Sequence, residues 1–124
     1  MEPELKQKGD RHFYCYFDLA LQVIGGKWKS MILYCLHRRG TLRFGALKRH
    51  IPTIREKVLT QQLRELEADG LLDRTVYAQV PPRVEYTLTP LGQTLVPIFD
   101  QLREWGHAYA RQLDPLGEDP GNHC

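Results

Sequence analysis

Residues Thr53–Gly70 read TIREKVLTQQLRELEADG, and the fold is decided in this stretch. Taken as a helix, it places Leu59, Leu63 and Leu66 at i, i+4 and i+7, a stripe that faces a core. With Leu59 at zero and about 100° per residue, Lys57, Gln61 and Arg64 fall on the opposite side, with Thr60 at its margin. Long donors and amides gathered on one face are the groups that meet phosphate oxygens and base edges. Thr53 followed by Glu56 fits a capping box, and Gly70 fits a helix stop. The spacing predicts a helix that enters a DNA major groove, with the remaining chain holding it there.

Upstream, Phe44–His50 reads as a short helix with Phe44 and Leu47 inward. Ile51-Pro52-Thr53 is a tight turn, since Pro52 cannot extend the preceding helix and biases Ile51 toward extended backbone. Short helix, tight turn and longer two-faced helix make a helix-turn-helix. Downstream, residues 71–77 and 84–88 are rich in β-branched and aromatic types with partial period-two alternation. The connecting Ala78-Gln-Val-Pro-Pro-Arg83 makes them a hairpin, a wing whose basic end residue, Arg83, is aimed at DNA backbone or minor groove.

Farther out, Phe13–Ile24 reads as a first helix with Phe17, Ala20, Leu21 and Ile24 on one side, closed by Gly25-Gly26. Trp28, Ile32, Cys35 and Leu36 mark a second, mostly core helix ending at Gly40, and Thr41-Leu-Arg43 reads as a very short strand. Thr89-Pro90 opens a long terminal helix, threonine as cap and proline in the first turn. Its apolar residues, Leu91, Leu95, Ile98, Leu102, Trp105, Tyr109 and Leu113, form a near-heptad seam. Such a seam either pairs with another subunit or packs on its own domain. Pro97 is predicted to kink this helix. The fold class is thus mainly α with a small β-wing: a flexible arm over 1–12, one winged helix-turn-helix domain over 13–113, and a disordered tail over 114–124.

Charge is distributed unevenly. Lys27 to Arg64 holds ten basic residues and one acid, Glu56, a segment of +9 in a chain whose net charge is +2. The remainder, seven bases against fourteen acids, carries −7. A basic middle in an acidic frame suits a polyanion. No apolar run reaches the roughly 18 residues of a membrane span, and the acidic start lacks a secretory pattern, so a cytoplasmic protein with reduced thiols is expected.

Ile24-Gly-Gly-Lys-Trp28, Leu42-Arg-Phe44, Leu59-Thr-Gln-Gln-Leu-Arg-Glu-Leu-Glu67, Asp69-Gly-Leu71, Pro81-Pro-Arg-Val-Glu-Tyr86 and Leu88-Thr-Pro-Leu-Gly92 closely resemble the HxlR-type winged-helix transcriptional regulators, over roughly residues 13–113. These are related in architecture to MarR-like regulators. The resemblance implies a homodimer on a pseudo-palindromic DNA operator, with N-terminal and terminal helices forming the dimer contact. Phe17, Leu95, Ile98, Leu102, Trp105 and Tyr109 are the residues it assigns there. The family usually has serine after the isoleucine that starts the recognition helix. Here Arg55 stands in that place, which moves capping to Thr53 and leaves the family's base preferences uncarried.

Several members of the family sense oxidants or electrophiles through a cysteine just ahead of the first helix, where Cys15 stands. Arg11, His12 and a helix N-terminus favour the reactive thiolate there; the bland reading is a plain interface cysteine. Cys35 lies on the core stripe, and Cys124 ends the tail with no expected role. No zinc spacing, histidine pair, phosphate loop or nucleophile elbow is present, so neither an enzyme nor a bound cofactor is expected.

These readings converge on a dimeric, sequence-specific DNA-binding regulator, a repressor. Arg55, Lys57, Thr60, Gln61 and Arg64 are its recognition-helix contacts, and Arg43, Lys48, Arg49 and Arg83 its phosphate contacts. Two rivals stand beside it. One is a winged helix used for protein contact; the other is a DNA-binding regulator controlled by a small ligand between terminal helices and core.

Overall fold

The computed structural model describes residues 4–121. In chain order it holds β1 (Lys6–Lys8), β2 (Arg11–Phe13), α1 (Tyr16–Ile24), α2 (Lys29–Arg39), β3 (Leu42–Arg43), α3 (Phe44–His50), α4 (Glu56–Ala68), β4 (Leu72–Tyr77), β5 (Arg83–Leu88), α5 (Pro90–Gln93) and α6 (Val96–Leu113). This is a winged helix-turn-helix. α3, the 51–55 turn and α4 form the two-helix unit, and β4–β5 form the wing. β3 joins the wing sheet, whose order is β3-β5-β4, all antiparallel.

The core is built by the predicted stripes. Leu59, Leu63 and Leu66 of α4 are buried against Ile32, Leu33, Cys35 and Leu36 of α2, Leu47 of α3, and Leu72, Tyr86 and Leu88 of the wing. Each fully buried aliphatic side chain contributes about 1.5–3 kcal/mol, so α4 is anchored far more strongly by this face than by its intrinsic helix preference. Asp69 and Gly70 end α4: Gly70, at φ +79°, turns the chain so that the Leu71 amide donates to the Leu66 carbonyl.

Several expectations are corrected. Thr53 caps nothing. Ile51 and Ile54 are both buried, and the Ile54 amide donates to the Ile51 carbonyl at 3.2 Å, closing a turn. Tertiary anchoring of these two isoleucines delays α4 until Glu56, so Arg55 occupies the cap position with extended backbone and no side-chain cap. The first helix begins at Tyr16, because Phe13 is a buried strand residue.

The terminal helix is two helices. Thr89 caps α5 as predicted, its hydroxyl accepting from the Gly92 amide at 3.0 Å. The chain then breaks at Thr94 and Leu95, and Pro97 lies in the first turn of α6 rather than at a kink. A proline has no amide to give the carbonyl four residues back and its ring crowds that carbonyl; that residue is Gln93, where α5 ends.

The expected loose arm over 1–12 carries a ribbon where it is described. β1 and β2 pair around Gly9-Asp10, with Gly9 at φ +56°. Arg11 Nη2 donates to both carboxylate oxygens of Asp69, at 2.8 and 2.7 Å, tying the ribbon to the C-terminal end of α4. Beyond α6, residues 114–121 lack regular structure but fold back, bringing Asp119 Oδ2 within 3.2 Å of His107 Nε2. The Gly121 amide and then the His107 ring hold the Asp119 carboxyl below the usual carboxylate range. The expectations for Cys124 and for the ends of arm and tail fall outside the described residues.

Candidate nucleic-acid interface

The solvent face of α4 is as read from its spacing. Lys57, Gln61 and Arg64 are exposed and Thr60 is half-buried beside them. Arg55 stands exposed at the helix entrance. Since no side chain caps that end, the first amides of α4 remain open to an acceptor, at the positive end of the helix dipole. Among the described residues, Arg55, Lys57 and Arg64 have no side-chain partner. Three cations free of intramolecular acids, Lys57 and Arg64 on the outer face and Arg55 at the helix entrance, suit a polyanion.

The flanking cations are less uniform. Arg43 is exposed at the end of β3, and Arg49 is exposed on α3. Lys48 is half-buried and its Nζ donates to the Pro52 carbonyl at 2.8 Å, so it also braces the turn between α3 and α4. Arg83 is not at the wing tip. It is the first residue of β5, facing Tyr77, and its guanidinium lies 4.0 Å from that ring. Its Nε is buried 3.4 Å from Glu85 Oε1, an ion-pair distance without a hydrogen-bond angle. The tip itself is 78–82, with a cis Val80–Pro81 bond. Lys29, beside Trp28 in the basic segment, is turned inward to Glu65 at 3.9 Å. Trp28 packs against the core, with Lys27 Nζ 4.7 Å from its ring.

Arg74 was passed over in the sequence. It lines a cleft of about 300 Å³ between α4 and the wing, together with Thr60, Leu63, Arg64, Glu67 and Tyr86. Its signal was available: in the period-two alternation it shares a face with Leu72 and Val76, an unusual place for a cation.

A second surface is apolar. α1 has no buried residue, and Tyr14, Tyr16, Phe17 and Leu21 are exposed on or beside it, Phe17 at 72%. On α6, Ile98, Leu102, Trp105, Tyr109 and Leu113 are exposed in a row, and the Trp105 and Tyr109 rings stack at 5.1 Å and 9°. Leu95, assigned to the dimer contact, is half-buried and packs against its own core. Phe99, absent from the predicted seam, is the buried residue of α6. α6 is therefore two-sided: Leu95, Val96 and Phe99 fasten it to its own domain while the seam from Ile98 to Leu113 stays uncovered.

Cys15 is exposed at the N-cap position of α1, and Cys35 is buried in the core. Arg11, counted as a neighbour that would favour the thiolate, is committed to Asp69. Among the described residues no group of three or more His, Cys, Asp or Glu is placed to hold a metal ion, and no helix is long and apolar enough to cross a membrane.

Comparison with known proteins fixes the family. The HxlR-like helix-turn-helix family model matches residues 23–114, from the end of α1 through α6. The chain belongs to the HxlR family. It is a helix-turn-helix transcriptional regulator and not an enzyme. This HxlR protein is 51% identical over 108 residues to the HTH-type transcriptional regulator YkvN of Bacillus subtilis (strain 168), covering 87% of this chain and 91% of that one. It resembles the redox regulator HypR in its reduced form with TM-score 0.76 and 48% identity, over 82% of this chain and 99% of that one. For the oxidised form of HypR the values are 0.72 and 51%, over 76% and 96%.

Proposed function

We propose that this HxlR-family regulator is a cytoplasmic homodimer that binds a pseudo-palindromic DNA operator sequence-specifically and represses transcription, with Cys15 as the point where oxidants or electrophiles act. The unpartnered cations on the exposed face of α4 carry the reading. A cation without an intramolecular acid gains most from a phosphate, and the bound counterions released make the affinity salt-dependent. Lys57, Thr60, Gln61 and Arg64 face the groove. Arg55, Arg43, Arg49, Lys48 and the outer nitrogens of Arg83 face the backbone.

Dimerisation is supported by the uncovered apolar faces of α1 and α6, since a monomeric protein rarely leaves so many large apolar side chains in water. Two recognition helices fixed one DNA turn apart read two half-sites. Cys15 belongs to this argument because it heads α1. A thiol captured by an oxidant or electrophile at that point alters the helix that sets the spacing. The likeness to a redox regulator supports the same assignment.

The test uses full-length protein. Light scattering is expected to give a dimer, and replacing both Leu102 and Trp105 with glutamate a monomer with at least about tenfold weaker operator binding in mobility-shift assays. Affinity for the duplex found by footprinting upstream of neighbouring genes is expected to fall steeply with salt. A monomeric wild-type protein, or one that ignores duplex DNA at low salt, defeats the proposal. Hydrogen peroxide should release the wild-type protein but not Cys15→Ser.

A second reading keeps DNA binding and replaces the thiol with a small ligand. An apolar cleft of about 250 Å³ lined by Ser30, Met31, Tyr34, Phe99, Leu102 and Arg103, between α2 and α6, favours it. Equal release of wild type and Cys15→Ser by peroxide would remove the Cys15 model.

A further inference from the structure

We infer that the cleft between α4 and the wing is a seat for one backbone phosphodiester of the bound duplex, held between Arg64 and Arg74. The inference rests on the DNA-binding reading and deepens it. It adds Arg74 to the interface and moves Arg64 from base edge to backbone, leaving Lys57 and Gln61 to read bases.

Three observations carry it. The first is where Arg74 stands. In the β4–β5 register Leu72, Arg74 and Val76 face Leu88, Tyr86 and Val84. Leu72, Tyr86 and Leu88 are buried and Val84 packs on the core, so this is the inner face of the wing. An arginine there stands on the α4 side of the sheet, and Arg74 lines the cleft while staying exposed to solvent, open to a ligand from outside.

The second is the donor set. Thr60, Arg64, Arg74 and Tyr86 all line the cleft. Among the described residues neither guanidinium has an acid partner, and neither the Thr60 nor the Tyr86 hydroxyl has a hydrogen-bond partner. Glu67 lies on the same wall yet pairs with neither arginine within ion-pair distance. Two guanidiniums and two hydroxyls with no protein acceptor define a site for an acceptor from outside. Arginine is the residue best matched to phosphate oxygens.

The third is size and continuity. At about 30 Å³ per water, a cleft of about 300 Å³ displaces on the order of ten waters, room for a phosphodiester and its shell. Thr60 and Arg64 belong both to the cleft and to the exposed face of α4. A duplex lying on that face brings its sugar-phosphate edge to the mouth of the cleft. This favours a DNA phosphate over a free anion. Glu67 then acts as a counterweight, since its carboxylate opposes the phosphate.

Mobility shift across a salt series with full-length Arg74→Gln, Arg74→Lys and Glu67→Gln tests the seat, using the footprinted operator and a scrambled duplex of equal length. Arg74→Gln should weaken both duplexes alike, by about five- to tenfold, and flatten the salt slope by about 0.9 per protomer. Arg74→Lys should keep the slope, and Glu67→Gln should tighten both duplexes about two- to fivefold. Melting curves recorded alongside separate lost folding from lost binding.

The seat is refuted if Arg74→Gln melts and binds like wild type, or weakens the operator alone. Unaltered affinity in Glu67→Gln refutes it as well, even if Arg74→Gln fails to fold. In each of those cases wild-type DNA binding, and its loss on replacing Lys57, still support the broader reading. Wild-type protein that ignores both duplexes removes both.

Discussion

Gly92→Ala tests how the wing is fastened to the terminal helices. Gly92 is a buried residue of α5 without a positive φ, so the cost of a side chain there is steric rather than conformational. An added Cβ would press on the Leu71 carbonyl oxygen well inside the 3.0 Å that real Cβ atoms keep, with the Leu71 carbonyl carbon at 3.3 Å and Leu88 Cδ2 at 3.4 Å. Leu71 cannot retreat alone. Its amide donates to the Leu66 carbonyl, its carbonyl accepts from the Thr89 amide, and its side chain is in the core. Relief therefore lifts α5 from the start of β4, stretching the Thr89 amide bond to Leu71 at 3.2 Å and the Thr89 hydroxyl bond to the Gly70 carbonyl at 2.6 Å.

Overpacking costs about 2 kcal/mol, and partial loss of two hydrogen bonds adds about 1 kcal/mol. At about 4 °C per kcal/mol for a chain of this size, Tm should fall by about 12 °C. Thermal and urea melts at fixed protein concentration measure it, with Gly70→Ala as the comparison. At Gly70 an added Cβ finds only Leu91 Cδ2, at 3.9 Å. Its cost is the left-handed backbone alone, about 1–2 kcal/mol. Gly92→Ala within about 0.5 kcal/mol of wild type, an ordinary surface effect, or milder than Gly70→Ala, would refute the steric argument.

Arg55→Ser should place a good cap on backbone already extended for it, raising stability by about 0.5–1 kcal/mol in urea melts, while removing a cation that the salt slope of DNA binding will register. Thr53→Ala should leave stability within about 0.5 kcal/mol of wild type, because α4 starts three residues later; a larger loss would restore the capping box. A double-mutant cycle on Arg11→Ala and Asp69→Ala should give a coupling of about 1 kcal/mol, between exposed and buried ion-pair values, because these side chains are 34% and 24% exposed. Coupling near zero would mean that the ribbon does not brace α4.

The parts of the fold legible in the sequence were those where local pattern and tertiary packing agree. The α4 stripe, the α3 boundaries, the wing strands and the Thr89 cap each have a repeat or a residue type whose physics is short-ranged. Thr53 misled because two isoleucines beside it are held by the core, and burying them outweighs a cap of about 1 kcal/mol. The break before α6 was marked by Pro97, but its effect falls four residues upstream. The ribbon was hidden by its polar strands; the trace it left was the two-residue Gly9-Asp10 turn. At the candidate interface, the exposed face of α4 followed from angle alone. The pull of Arg83 toward Tyr77 and Glu85, and the place of Arg74 on the α4 side of the wing, required the strand register.

The stacked ring pair on α6 also supplies a built-in optical gauge. The chain has two tryptophans: Trp28 packs on the core, whereas Trp105 is 65% exposed. Covering Trp105 with a second subunit moves its indole from water to an apolar setting, so its emission should shift to the blue as subunits associate. Trp28→Phe would leave Trp105 as the single tryptophan, and subunit exchange could then be followed by tryptophan-selective fluorescence without attaching a dye.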